Sequence, residues 1–176
     1  MSWKQLTSKE VYKNKWIRVT EDEVMTDDGR QLQFGVVHKQ PFALIIPWDG
    51  EKLTLVGQYR YMVGGYSWEF PQGHFEHENI LATAKEELRE ETGLIAKNMC
   101  EAGSFWIGPG GIDQECNMFI ATELTQSERR LETSEEGMEC KAVTLNEFWS
   151  MVENGEIKDG PSLAAMSLAT NVLKFF

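Results

Sequence analysis

With 176 residues, 41% of them hydrophobic and 26% charged, the chain has the make-up of one soluble globular domain, long enough to bury about two-thirds of its unfolded surface. The 17 Lys and Arg against 28 Asp and Glu leave a net charge of −11, which opposes binding to nucleic acid or to an anionic membrane. An anionic substrate would therefore need local arginines or bridging metal ions. There is no apolar run long enough to cross a bilayer, and Cys100, Cys116 and Cys140 lack metal-ligand spacing, so the chain reads as a cytoplasmic protein with reduced thiols.

Residues 1–40 read as an N-terminal strand region. Trp16 to Met25 alternates imperfectly, Asp27-Asp28-Gly29 forms a turn, and Gln31 to His38 returns, which together signal a hairpin. The remainder, 41–176, reads as the main body. Phe42 to Ile46 and Lys52 to Tyr59 are predicted to be a second pair of strands joined through Pro47-Trp48-Asp49-Gly50. Gln58-Tyr59-Arg60 and Trp68-Glu69-Phe70-Pro71-Gln72-Gly73 follow. Arg60 has two readings, a surface ion pair or a forked donor for a phosphate. His74 and His77 read as solvated loop residues, because a His-x-x-His pair alone makes no zinc site.

Next comes a helix crowded with carboxylates. Leu81, Ala84 and Leu88 form its apolar stripe, and Glu87 and Glu91 sit one turn apart on the edge of that stripe, with Glu90 just beyond on the solvent side. Asn79 suits an N-cap and Gly93 a left-handed C′ residue. Three carboxylates at this spacing repel one another unless a cation gathers there, and oxygen ligands suit a hard cation, Mg²⁺ above all. A glutamate-rich helix face that is simply solvated is the competing account.

Beyond the helix, Asn98 to Ile107 and Glu115 to Glu123 are predicted strands around Gly108-Pro109-Gly110-Gly111, a turn whose backbone can approach a ligand closely. Ser127 to Met138 is acidic and polar and is expected to be an exposed, mobile loop. A strand from Cys140 to Leu145 and helices over Asn146 to Glu153 and Ser162 to Phe176 complete the chain, with Asp159-Gly160-Pro161-Ser162 as turn and cap.

The helix and the loop before it resemble the signature of the Nudix hydrolases, G-x5-E-x7-R-E-U-x-E-E-x-G-U with U aliphatic. Glu78, Glu87, Leu88, Glu90, Glu91, Gly93 and Leu94 match it. Two departures stand out: the segment between Gly73 and Glu78 is one residue short, and Glu86 occupies the arginine position. The Q-Y-R and E-x-P-x-G segments, and Pro109 at its spacing beyond the signature, resemble the ADP-ribose pyrophosphatases. The resemblance implies an α/β fold, a Nudix-type α/β/α sandwich with a mixed sheet and an N-terminal antiparallel strand region.

It also implies a pyrophosphohydrolase dependent on Mg²⁺, with Mn²⁺ as a substitute, acting on a nucleoside diphosphate sugar. ADP-ribose leads among substrates and GDP-mannose follows. Metal ligands would be Glu87, Glu91, Glu90 and the backbone carbonyl of Gln72. Arg60, Glu69, Pro109 and Gly110 would touch substrate. Glu136 would be the general base, with Glu135 and Glu139 as alternatives and Glu90 a second catalytic carboxylate. The partner set is the small-molecule substrate and a second copy of the chain in a homodimer, without nucleic acid or membrane; the N-terminal strands would build that dimer. Trp16 or Phe34 would then stack on a base, though an aromatic in a sheet is more commonly core. Glu86 and the short loop motivate a different class, a nucleotide-binding sensor without hydrolysis. A third is a hydrolase of dinucleoside polyphosphates, capped RNA or nucleoside triphosphates.

Overall fold

Residues 3–74, 79–131, 133–170 and 173 are described by the computed structural model. Glu78 and His77, and the end of the last predicted helix, lie outside the described residues. The chain divides into two units, the first formed by residues up to 41 with 105–115, the second by 42–104 and the residues from 116 onward.

In the first unit, β1 (Lys4–Lys13), β2 (Arg18–Met25) and β3 (Gln31–His38) make an antiparallel meander. The β2–β3 turn is the Asp-Gly turn read from the sequence, with Gly29 at φ 83° and its N–H donating to the Thr26 carbonyl at 3.0 Å. Strand β1 is exposed along its whole length. Residues 105–115 add the Pro109–Gly111 turn, where the Gly111 carbonyl accepts from Val37 N–H at 2.8 Å.

The second unit is built on β4 (Phe42–Pro47), a continuous apolar run and buried at every position, as a strand covered on both faces must be. It pairs in parallel with β9 (Ile112–Gln126), from Phe42 opposite Cys116 to Pro47 opposite Ala121, and antiparallel with the short β7 (Gln72–His74). Strand β8 (Leu94–Gly108) pairs with β9, and this hairpin contributes to both units. A separate antiparallel sheet holds β5 (Lys52–Arg60) between β6 (Gly65–Glu69) and β10 (Glu139–Thr144). The expected pairing of β4 with β5 is thus replaced by placement in two sheets. The Pro47-Trp48-Asp49-Gly50 link carries the chain from one to the other with a single bridge, Trp48 to Leu53.

Helix α1 (Ile80–Thr92) lays Ala84 and Leu88 on Ala43 and Ile45 of β4 and on Phe119 and Ala121 of β9. Its ends are fixed as the sequence anticipates. The Asn79 side chain accepts from Leu81 N–H at 3.0 Å, and Gly93 takes the left-handed conformation at φ 73°. Helix α2 (Leu145–Glu153) starts with a Thr144–Glu147 capping box, and α3 (Gly160–Ala169) with Asp159 as N-cap and Pro161 in the first turn. Buried Ser162 accepts from Phe70 N–H at 2.9 Å, tying α3 to the segment that leads into β7. The result is a mixed α/β architecture of the expected class. Among the described residues no helix is long and apolar enough to cross a membrane.

Candidate active site

Helix periodicity puts Glu87 and Glu91 on one side of α1, at the edge of its packed face. A short turn of 3-10 helix, Thr133–Glu135, brings a third carboxylate to them. One oxygen from each of Glu87, Glu91 and Glu135 lies within 4.8 Å of the other two. Glu91 is only 2% exposed, whereas the other two are half-buried.

The backbone of β7 forms the opposite wall. Gln72 N–H donates to Glu91 Oε2 at 3.0 Å. At Gly73 a Cβ would fall 1.8 Å from Glu87 Oε1, so the carboxylate occupies the space that any other residue type would fill. This close approach is a reason for glycine that needs no unusual backbone angle.

A fourth carboxylate is held beside this group. Glu69, at the end of β6, is 1% exposed. It accepts from Gln58 Nε2 at 2.9 Å and from Gln72 Nε2 at 3.1 Å, and it pairs with Arg60 Nη2 at 2.5 Å. Gln72 therefore contacts both buried acids, Glu91 through its backbone and Glu69 through its side chain. Arg60 keeps 40% of its side chain exposed. The ion pair and the forked donor expected of Arg60 are thus compatible, because the pair with Glu69 still leaves donors for an anion.

The electrostatics are unfavourable without a cation. Burial lifts the Glu91 carboxyl well above the ordinary carboxylate range, and the Glu87 and Glu135 charges lift it further against the opposing Gln72 N–H. Burial likewise raises Glu69, and the Arg60 charge only partly offsets it. Three carboxylate oxygens this close, one of them buried and resisting ionisation, form a donor set that suits a divalent cation bound through oxygen.

The sequence-derived candidates are distributed as follows. Glu87, Glu91, Gln72, Glu69 and Arg60 are linked by the contacts above. Glu90 is half-buried, and its carboxylate is outside the triplet. Glu136 is exposed on the same loop, and it is Glu135 that joins the helix carboxylates. The 3-10 turn sets which of the two faces inward, and counting back from β10 does not reveal a turn of that kind. Glu139 pairs with Gly57 in the β10–β5 ladder and interacts with Tyr66. Pro109 and Gly110 form the β8–β9 turn in the first unit. Glu86 is exposed. The loop expected to be mobile is fastened at Met138, which is 4% exposed, and at Arg129, whose Nε donates to the Glu91 carbonyl at 2.7 Å.

Family models match the whole of this arrangement. Residues 3–37 match the nucleoside diphosphate sugar hydrolase N-terminal domain and residues 38–166 match the NUDIX domain. The chain belongs to the Nudix family. This Nudix hydrolase is 30% identical over 166 residues to an ADP-ribose pyrophosphatase of Bacillus subtilis (strain 168), covering 93% of this chain and 90% of that one. It is also 30% identical over 149 residues to an ADP-ribose pyrophosphatase of Mycobacterium tuberculosis, covering 82% and 72% respectively. A methanol dehydrogenase activator of Bacillus methanolicus shares 26% over 166 residues, at 93% and 90% coverage. The crystal structure of an ADP compounds hydrolase superposes with a TM-score of 0.87 over 99% of this chain and 96% of that one; at 18% identity this shows the fold.

Proposed function

We propose that this Nudix hydrolase is a Mg²⁺-dependent pyrophosphohydrolase that cleaves the diphosphate of a nucleoside diphosphate sugar to a nucleoside monophosphate and a sugar phosphate. ADP-ribose is the first candidate substrate and GDP-mannose the second. The observation that carries this reading is the triplet of Glu87, Glu91 and Glu135 built against β7, with the Arg60–Glu69 pair alongside. Water attacking a diphosphate must approach a centre that is already anionic. Mg²⁺, or Mn²⁺ in its place, would offset that charge and lower the pKa of the attacking water.

Each residue has a task in this scheme. Glu87, Glu91 and Glu135 would hold the cation, with Glu90 and the Gln72 carbonyl as further oxygen donors. Glu69 fixes the guanidinium of Arg60 so that its remaining donors meet phosphate oxygens in a set orientation. The loop would supply the general base, Glu136 by the resemblance, with Glu135, which the 3-10 turn brings to the triplet, as the alternative.

Incubation with ADP-ribose, GDP-mannose, UDP-glucose, Ap4A and ATP, each with Mg²⁺ and with chelator, tests the reading. Mg²⁺-dependent release of a nucleoside monophosphate from a sugar conjugate is the expected result. Inorganic pyrophosphate released mainly from ATP would overturn the substrate class. Binding and thermal stabilisation by ADP-ribose with no turnover would establish the sensor reading, which the exposed Glu86 at the arginine position motivates.

The protein is further proposed to act in the cytoplasm as a homodimer. In the first unit Trp3, Tyr12, Trp16 and Phe34 are 37–67% exposed, an amount of aromatic surface that association would remove from water. Trp16→Glu is expected to shift the protein from dimer to monomer at micromolar concentration in analytical ultracentrifugation. An unchanged dimer would place the interface elsewhere.

A further inference from the structure

The last carbonyls of a helix have no partner within it, and those of α1 are answered by one segment of the acidic loop and by β10. Arg130 N–H donates to the Glu90 carbonyl at 3.1 Å and Ser127 N–H to the Gly93 carbonyl at 2.6 Å. The Glu91 carbonyl accepts from Arg129 Nε at 2.7 Å and from Cys140 Sγ at 3.4 Å. The same guanidinium reaches past the glutamate turn, where Nη1 donates to the Met138 carbonyl at 3.1 Å. Met138 N–H in turn donates to the Glu135 carbonyl at 2.9 Å, closing the turn that presents Glu135.

We propose that Arg129 is a positioning residue that clamps the glutamate loop onto the C-terminal end of α1, so that Glu135 and Glu136 are held in register with Glu87 and Glu91. The two backbone bonds from Ser127 and Arg130 tie only the start of the loop to the helix, and the clamp extends that hold to the loop's far end at Met138. One donor holds the carbonyl of a site residue on the helix, and another holds the carbonyl at the far end of the loop. A planar fork can make both contacts at once, and an ammonium on a flexible stem cannot reproduce that geometry. The guanidinium charge also sits at the helix end that favours a cation. Its Nη2 is buried with no hydrogen-bond partner among the described residues, so the group is oriented for the two carbonyls at the expense of its third nitrogen.

The inference rests on the proposed hydrolase reading for its catalytic consequence but not for its structural one. The test compares wild type with Arg129→Ala, Arg129→Lys and Arg130→Ala. Hydrogen exchange at the amides of Arg130, Met138 and Ile45 is followed in the metal-free protein, and kcat and KM are measured on ADP-ribose with Mg²⁺. In Arg129→Ala the amides of Arg130 and Met138 are expected to exchange at least about tenfold faster, with Ile45 of β4 unchanged. The value of kcat should fall by about a hundredfold with KM held within about twofold, because the substrate contacts stay while the loop carboxylates lose register. Arg129→Lys should recover part of both effects, and Arg130→Ala should match wild type, since Arg130 contributes a backbone N–H.

Unchanged exchange at both loop amides in Arg129→Ala and Arg129→Lys overturns the clamp. A raised KM with kcat preserved overturns it as well, since Arg129 would then be contacting substrate. Should Arg129→Ala fail to fold, Arg129→Lys carries the comparison. A wild type that cleaves no nucleoside diphosphate sugar removes the proposed function while the exchange result still decides the clamp.

Discussion

Replacing Glu91 by Gln is expected to reduce Mg²⁺-dependent turnover by at least about a thousandfold, because a metal ligand supplies several kcal/mol of charge stabilisation and each 1.4 kcal/mol is about tenfold in rate. The same change is expected to stabilise the metal-free protein. Glu91 has a carboxyl pKa raised by burial and by Glu87 and Glu135, so between its unfolded and folded pKa values the folded state holds more protons than the unfolded state. The stability tied to this group is fully present below the unfolded pKa and is lost as pH rises through the folded pKa. A tenfold change in that proton equilibrium corresponds to about 1.4 kcal/mol, and about 1 kcal/mol moves Tm by roughly 2–4 °C in a protein of this size.

Thermal melts in chelator should therefore show wild type losing stability as pH climbs above the ordinary carboxylate range, and Glu91→Gln losing less. Mg²⁺ should reverse the order by stabilising wild type and leaving the variant unmoved. If Glu91→Gln melts below wild type in chelator at pH 8, the buried charge is compensated by something other than a cation.

The second large effect is expected at a residue with no functional group. In Gly73→Ala the new methyl would occupy the position 1.8 Å from Glu87 Oε1, and the atom that gives way is the end of a flexible side chain. The fold should survive, with Tm within about 4 °C of wild type, while the carboxylate is displaced from Glu91 and Glu135. A displacement of this size at a reacting centre costs about a hundredfold, and here it should appear in kcat together with a raised Mg²⁺ requirement. Full activity at ordinary Mg²⁺ would mean that Glu87 has room to move without consequence, and so is not a ligand.

How much of this is legible in the residues depends on how local each feature is. Helix α1 is readable with both ends, because an apolar stripe, an Asn cap and a C′ glycine are all encoded within one short segment. Strand β4 is readable from its unbroken apolar run. Strand β1 does not stand out as a strand of its own, because it is exposed along both faces and so has no apolar–polar alternation to betray it. The partner of β5 is not legible, since pairing depends on residues far along the chain: its neighbour on one side is β10.

The same contrast holds in the site. Glu87 and Glu91 share a helix face by periodicity alone, whereas Glu135 joins them through a 3-10 turn that an acidic, apolar-poor stretch does not announce. The roles of Gly73 and Gln72 as a wall for the carboxylates come from the β7–β4 pairing, and three residues are too few to show a strand period. Arg129 gives only the signal of a basic pair in an acidic loop. Its two carbonyl contacts are tertiary and leave no mark on composition.

Loaded with a divalent cation, this carboxylate cluster is proposed to break a diphosphate linkage. Phosphorus NMR of ADP-ribose incubated with the protein, with Mg²⁺, with chelator, and with Glu87→Gln, reads this out. The coupled diphosphate resonances of ADP-ribose are expected to give way to two monophosphate resonances with Mg²⁺ and wild type, and to persist in the other two samples. Diphosphate resonances left intact by wild type with Mg²⁺, or cleavage that proceeds equally in chelator or with Glu87→Gln, would contradict it.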